Sequence, residues 1–342
     1  MRLGLIARAE VARGLAIQSK GFFDHMPVER VLLVKMAHPD CEVDPSWYPG
    51  AWPIEYDDLN HTLNENLVRQ FLDGLDVVFT VETPYDWHLP RWARELGVTT
   101  VIQGNPEFYR HDLPTHSWQE HPTEWWWPTS WRTQHLPAGR LMPVPMPTRP
   151  NIAGDPLENR PLRLLHVQGK KAWLDRNGSQ VFADALRACH TDVEATIYGL
   201  QGEAPTTELR PNVKLNVYPD GVRDRWEMYA GHDVLVMPRR YGGLCLPALE
   251  AAACGLAVAM PDFSPNHELA SLFFDARGRL EFPLSCGPVL TADTNHMDLG
   301  AFIDGLSHDR RRVADAQVNS QLHLATWDRW RDEYLRAFEE LP

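Results

Sequence analysis

Residues Val234–Met260 read VLVMPRRYGGLCLPALEAAACGLAVAM, and the punctuation of this stretch decides the fold. Val234–Met237 is a continuous apolar run, as a strand buried on both faces requires. Pro238 ends it. Gly242 and Gly243 open a loop, and Pro247 follows in a first helical turn, where its missing N–H costs little. Leu249, Ala252, Ala253 and Leu256 repeat on one helical face, and Gly255 suits a left-handed helix stop. Leu256–Met260 is then the next buried strand. Strand, glycine loop, helix and strand in this order form one unit of a parallel, doubly wound sheet.

Outward from this stretch the alternation continues. Strands are expected at Leu162–Val167, Ala195–Tyr198 and Val213–Val217, with helices at Ser179–Ala188, Arg223–Ala230 and Pro247–Cys254 and more beyond Asp298. The first half repeats the pattern. Strands at Leu3–Ile6, Val31–Val34, Val77–Thr80 and Thr99–Ile102 alternate with helices near Leu15–His25, Asn64–Leu72 and Trp87–Leu96. Asn105–Pro150 is rich in Pro, His and Trp and reads as irregular structure with one or two short elements, ending in a linker at Pro143–Pro161. Trp327, Trp330, Tyr334, Leu335 and Phe338 form an aromatic stripe on a final amphipathic helix. The expected organisation is a domain over 1–150, a second over 151–325 and a closing helical segment over 326–342. A length of 342 residues, 44% of them hydrophobic and 23% charged, suits two globular domains.

The net charge of −13 disfavours non-specific association with nucleic acid or anionic membrane. Cys41, Cys189, Cys245, Cys254 and Cys286 are odd in number and scattered, which points to a reducing compartment without a disulfide framework. With no signal-peptide pattern at the start and no apolar stretch approaching 18 residues, a cytoplasmic location is expected, in the host cytoplasm if the gene is phage-borne.

The glycine loop carries the chemistry. Two glycines let backbone N–H groups approach a ligand, and the following helix aims its free N–H groups at the same point. Arg239 and Arg240 add full charge. A diphosphate at the carboxyl ends of parallel strands is the expected ligand, since open α/β sheets bind there.

RRYGGLCLPALEAAACGLAVAMPD resembles the donor-site signature of family-4-type retaining glycosyltransferases, which have the GT-B fold of two Rossmann-like domains facing a cleft. Gly243, Leu246, Pro247, Glu250, Ala251 and Gly255 fall on that pattern. The resemblance implies that Glu250 grips the donor ribose, and that Arg239, Tyr241, Gly242, Gly243, Leu244 and Cys245 line the donor site. It departs at Gly242, where the family has a glutamate that contacts the transferred sugar. LLHVQGKKAWLDRNGSQVFADAL resembles the family's cationic loop: Gly169 and Lys171 would line the donor, and Lys170 and Arg176, with Arg240, would meet the diphosphate as it departs. The donor implied is a UDP- or GDP-sugar, used with retention, without metal and without any other cofactor. The closing helix resembles one that crosses back to the N-terminal domain. Arg-Arg-Tyr-Gly-Gly and Asp-Arg-Asn-Gly resemble a branch found in tailed phages, which raises two acceptors, a hydroxymethylated pyrimidine in DNA or a protein.

Acceptor or sugar contacts are expected after the strand ends of the first half, at Arg13, Gly14, Glu82 and Tyr85, with Gln103–Glu107 and Pro128–Arg132 also in reach. His111, His116 and His121 are evenly spaced, but a five-residue step fits no common metal site. Trp118 and Trp125–Trp127 read equally as a stacking platform and as a small core. Two other readings stay open: a sugar-nucleotide epimerase or phosphorylase of the same architecture, and a non-catalytic nucleotide-sugar-binding module, the latter motivated by Gly242. A nicotinamide oxidoreductase is disfavoured, because no Gly-x-Gly-x-x-Gly follows the first strand.

Overall fold

The structure is a computed structural model, and it describes residues 1–10, 14–35, 43–109, 121–169, 175–199, 209–218, 224–276, 278–284 and 287–342. Contacts divide the chain into two compact units, one of Met1–Pro147 with Ala325–Pro342, the other of Thr148–Leu284 with Pro288–Leu324.

The first unit runs β1 (Leu3–Ala7), α1 (Gly14–His25), β2 (Val28–Lys35), β3 (Trp52–Glu55), α2 (Glu65–Leu72), β4 (Val77–Val81), α3 (Leu89–Glu95), β5 (Thr99–Gln103), β6 (Glu124–Trp127) and β7 (Arg140–Leu141). Among the described residues these strands form one parallel sheet in the order β3-β2-β1-β4-β5-β6-β7. β1 and β4 are buried along their whole length, which is why LGLIA and VVFTV show no polar alternation. Asn64 caps α2 by accepting from the Leu67 N–H.

The region read as irregular with one or two short elements supplies two short strands, β6 and β7. Trp125, Trp126 and Trp127 are 3%, 0% and 1% exposed, so they are core and not a stacking platform. The pleat sends them to opposite faces. Trp126 packs against Phe79, Tyr334 and Phe338, while Trp125 and Trp127 stack on each other at 5.0 Å. Trp118 lies outside the described residues.

The second unit runs β8 (Leu162–Gly169), α4 (Ser179–Ala188), β9 (Val193–Gly199), β10 (Val213–Tyr218), β11 (Val234–Val236), α5 (Leu246–Ala253), β12 (Ala257–Pro261), β13 (Leu272–Phe274), β14 (Gly278–Leu284), β15 (Gly287–Asp293), α6 (His296–His308) and α7 (Arg310–His323). β10-β9-β8-β11-β12-β13 is a second parallel sheet, and β14 pairs with β15. The helix expected over Arg223–Ala230 is a shorter 3-10 turn, Arg225–Tyr229, begun by Asp224 accepting from the Trp226 N–H. Buried Asp233 binds both terminal nitrogens of Arg160, at 2.7 and 2.8 Å, and the Arg163 N–H, fixing the entry to β8.

The last helix, α8 (Trp327–Glu339), belongs to the first unit. Its stripe buries Trp327, Tyr334 and Phe338 against Phe22, and the Tyr334 hydroxyl donates to the Pro143 carbonyl at 2.9 Å. No described helix is long and apolar enough to cross a membrane.

Both sheets reverse winding direction once: between β1 and β4 in the first unit, and between β8 and β11 in the second. Such a switch point leaves a crevice beyond the carboxyl ends of the two strands.

Candidate active site at the strand ends

At the second unit's switch point, two loops are stitched together. The Arg240 N–H donates to the Arg176 carbonyl at 2.8 Å, and Arg176 Nε donates to the Tyr241 carbonyl at 3.2 Å. His166, fully buried in β8, bonds the Val236 carbonyl through Nδ1 and the Ser179 hydroxyl through Nε2, each at 2.8 Å. This ring therefore ties β8, β11 and the start of α4 into one block. Gly178 makes the close approach possible. It sits at φ +72°, and a Cβ there would collide with the Pro238 carbonyl.

The Asp175 carboxylate accepts from the N–H groups of Ser179 and Gln180, at 2.9 and 2.8 Å, and so caps α4 beside Arg176. The Arg176 guanidinium lies over the Tyr241 ring at 5.3 Å. Arg239 is 3% exposed and donates through Nη2 to the Leu244 carbonyl. Gly242 adopts φ +126°, and the guanidiniums of Arg239 and Arg176 both crowd the place where its Cβ would stand. The departure from the family's glutamate is thus built into the packing: two cations converge where an acid would start.

Arg240 is fixed by its backbone on both sides, since its carbonyl accepts from the Ala292 N–H at 2.8 Å. Its Nη1 is 3.4 Å from Asp293 Oδ1, and its Nε is buried without a hydrogen-bond partner. Phe282 stacks on Tyr241, with ring centroids 5.7 Å apart. Gly243 and Cys245 are buried in the same loop, Leu244 is half-buried, and Cys245 stands at the N-cap of α5.

Glu250, on α5, is 4% exposed. Its Oε2 accepts from the Tyr229 hydroxyl at 2.7 Å, and its Oε1 lies 3.2 Å from Arg225 Nε, outside good hydrogen-bond geometry. Burial raises the Glu250 carboxyl above its ordinary range, against the opposing pull of Arg225 and Tyr229. Arg225, Tyr229 and Asp293 were not singled out from sequence. The Arg225–Tyr229 turn falls within the helix expected over Arg223–Ala230, and Asp293 ends β15, a strand not expected from the sequence.

In the first unit, Glu82 and Tyr85 both follow β4 in the left-handed region, at φ +69° and +63°. Two non-glycine residues in that conformation within four positions mark a strained loop. The Glu82 N–H donates to the Gln103 carbonyl at 2.7 Å, and its Oε2 accepts from Asn105 Nδ2 at 2.8 Å. Tyr85 is 5% exposed, its hydroxyl lacks a hydrogen-bond partner, and burial holds its phenol well above the usual range. An Arg8–Glu10 ion pair follows β1 and had not been singled out from sequence, although its place directly after the first strand was the available signal. Gly14 begins α1 and is exposed. Gly169 ends β8. Arg13, Lys170, Lys171, His111 and His116 lie outside the described residues. Among the described residues no group of three or more His, Cys, Asp or Glu side chains could hold a metal ion.

Residues 165–271 match the family model described as "Glycosyl transferases group 1". No curated protein matches the chain in sequence. Among solved structures, the chain is similar to HepE of Anabaena in complex with UDP-glucose, at 12% identity over 100% of both chains and a TM-score of 0.66. It is also similar to a sucrose-phosphate synthase from Thermosynechococcus elongatus, at 13% identity over 100% of this chain and 99% of that one, TM-score 0.64. A third is the lipopolysaccharide outer core galactosyltransferase WaaB, at 12% identity over 99% of each chain, TM-score 0.64. The two parallel-sheet units are those of the GT-B fold.

Proposed function

We propose that this protein is a glycosyltransferase that takes a sugar from a nucleotide-sugar donor bound at the β8/β11 switch point. The observation that carries the reading is the convergence of the Arg176 and Arg239 guanidiniums on the glycine loop at Gly242, with the Arg240 backbone tied to Arg176 beside it. It lies inside the segment that matches the family model. Guanidiniums there stabilise the charge that gathers on a departing nucleoside diphosphate, the term that dominates such reactions. They supply positive charge from the protein itself, and the reading needs no metal. Lys170, Lys171 and Gly169 complete the cationic loop in this reading, and Glu250 accepts from the ribose hydroxyls. A UDP-sugar is the first donor to test, because HepE, which shares the fold, binds UDP-glucose; a GDP-sugar is the second.

The acceptor belongs at the first unit's switch point, where Glu82, Tyr85, Arg13 and Gly14 follow the strand ends. Glu10, Glu82 and Glu107, the first and last of them buried, outnumber Arg8 and Arg13 in the sequence after these strand ends. Carboxylates accept from hydroxyls and repel phosphodiesters, so a protein hydroxyl is favoured over a modified pyrimidine in DNA. Likeness to retaining enzymes supports transfer with retention: the acceptor oxygen attacks the anomeric carbon on the face the diphosphate leaves, and a diphosphate oxygen takes its proton.

The test is incubation with UDP- and GDP-sugars, with hydrolysis and transfer followed by mass spectrometry and the anomeric configuration by NMR. Protein and hydroxymethylated duplex acceptors form separate arms. Absence of both turnover and nucleotide binding sinks the proposal; binding without turnover supports the non-catalytic module instead.

A further inference from the structure

Tyr198 and Tyr218 stand side by side at the carboxyl ends of β9 and β10, in register with each other and with Val167 of β8. Their rings are stacked, with centroids 4.9 Å apart and planes 15° from parallel. Tyr198 is 8% exposed and backed by the sheet, whereas Tyr218 is 46% exposed. A lone surface aromatic needs no explanation. Here a buried ring holds an exposed one flat at the edge where an α/β sheet binds its ligand.

The spacing fits a nucleotide. Strands lie about 4.8 Å apart, so β10 is about 10 Å from β8, the reach of a nucleoside from its diphosphate to its base. The Arg225–Tyr229 turn links the stations along that path. Arg225 and Tyr229 hold the Glu250 carboxylate. Glu227, in the same turn, is close enough to Tyr198 to act on its phenol electrostatically. Trp226 offers no comparable open ring, since the guanidiniums of Arg149 and Arg225 each sit 4.7 Å from its centre.

We propose that Tyr218, backed by Tyr198, is the stacking platform for the donor nucleobase. The inference rests on the donor-site reading above and adds a subsite to it. Every base has a π-face, so the platform serves uracil and guanine alike, and it strengthens binding without choosing between them.

Titration calorimetry with UDP, GDP and inorganic pyrophosphate on the full chain tests this, using Tyr218→Ala and Tyr218→Phe. Tyr218→Ala should weaken UDP and GDP about tenfold and leave pyrophosphate unchanged, while Tyr218→Phe should bind like the wild type. Saturation-transfer NMR should show contact to the base protons in the wild type and its loss in Tyr218→Ala. Wild-type affinity for UDP in Tyr218→Ala overturns the platform. So does an equal loss of pyrophosphate binding, which would mean that the variant disturbs the diphosphate site. A wild-type protein that binds none of the three overturns the donor-site reading itself, a result distinct from either.

Discussion

Tyr229 donates its hydroxyl to Glu250 at 2.7 Å, and both side chains are buried. The bond joins the turn before β11 to the helix after it, so the carboxylate expected to meet the ribose is held from behind by a different segment. Arg225 approaches the second oxygen from the same turn. A carboxylate in this position stays ionised only against the cost of its burial.

Removing the tyrosine hydroxyl should therefore be felt twice. Tyr229→Phe leaves Glu250 Oε2 without its donor, which should cost about 1–3 kcal/mol in urea unfolding. It should also raise the Glu250 carboxyl further, so on acidification nucleotide affinity should be lost at a higher pH than in the wild type. Glu250→Ala should weaken nucleotide binding throughout such a titration. A Tyr229→Phe protein with wild-type stability and an unchanged affinity profile would show that the bond is incidental.

Gly178→Ala should be destabilising beyond the ordinary cost of a left-handed alanine. Gly97 provides the control, because it has the same φ of +72° and nothing within 4 Å of a would-be Cβ. Gly97→Ala should cost about 1 kcal/mol, the conformational term alone. Gly178→Ala adds a collision with the Pro238 carbonyl and should cost about 2–4 kcal/mol. Calorimetric melting of the two variants measures the difference. Equal melting temperatures would show that the two loops can separate freely.

Much of this was legible because buried parallel strands carry unbroken apolar runs. LGLIA, VVFTV and VLVM announce themselves, and a glycine loop leading into Pro247 marks the strand-to-helix turn. The sheet edges were less readable. β3 begins WPIE and β6 is EWWW, four residues each, among prolines that argue against any strand. What makes them strands is a neighbour: β6 pairs with β5, and the Trp126 indole fills space between Phe79 and α8. The site divides in the same way. Arginines and glycines of one loop could be read from their spacing. The Arg8–Glu10 pair, the Tyr229 support of Glu250 and the Tyr198–Tyr218 stack depend on which strands become neighbours.

Arg240→Gln should slow sugar transfer more than it weakens donor binding. Its backbone is tied to Arg176 and Ala292, so the loop should survive the change. What is lost is positive charge near the departing diphosphate, expected to lower kcat about 10²-fold. Asp293→Asn supplies the counter-test. The Arg240–Asp293 pair is long and half-exposed and contributes under about 1 kcal/mol, so its loss should leave kcat near wild type. Steady-state kinetics on both variants decide the matter. An Arg240→Gln enzyme with full kcat would remove this arginine from the chemistry.

His166 should make the protein acid-sensitive. Val236 offers only a carbonyl, so in the neutral ring Nδ1 carries the proton and Nε2 accepts from Ser179, and burial disfavours the charged ring. Burial pushes its pKa down to about 4 from an ordinary 6.5. Between those values the unfolded chain binds a proton that the folded one refuses, so stability falls as pH drops from 6.5 to about 4 and levels off below. The full effect is about 3 kcal/mol. His232, also depressed by burial, acts in the same direction, whereas the raised Glu250 carboxyl acts in the opposite one. Urea unfolding from pH 7 to pH 4.5 should therefore be compared with His166→Asn, whose amide can still donate to Val236. The variant should be less stable at pH 7 and lose less stability on acidification. Parallel curves for the two proteins would show that His166 takes no part in the acid response.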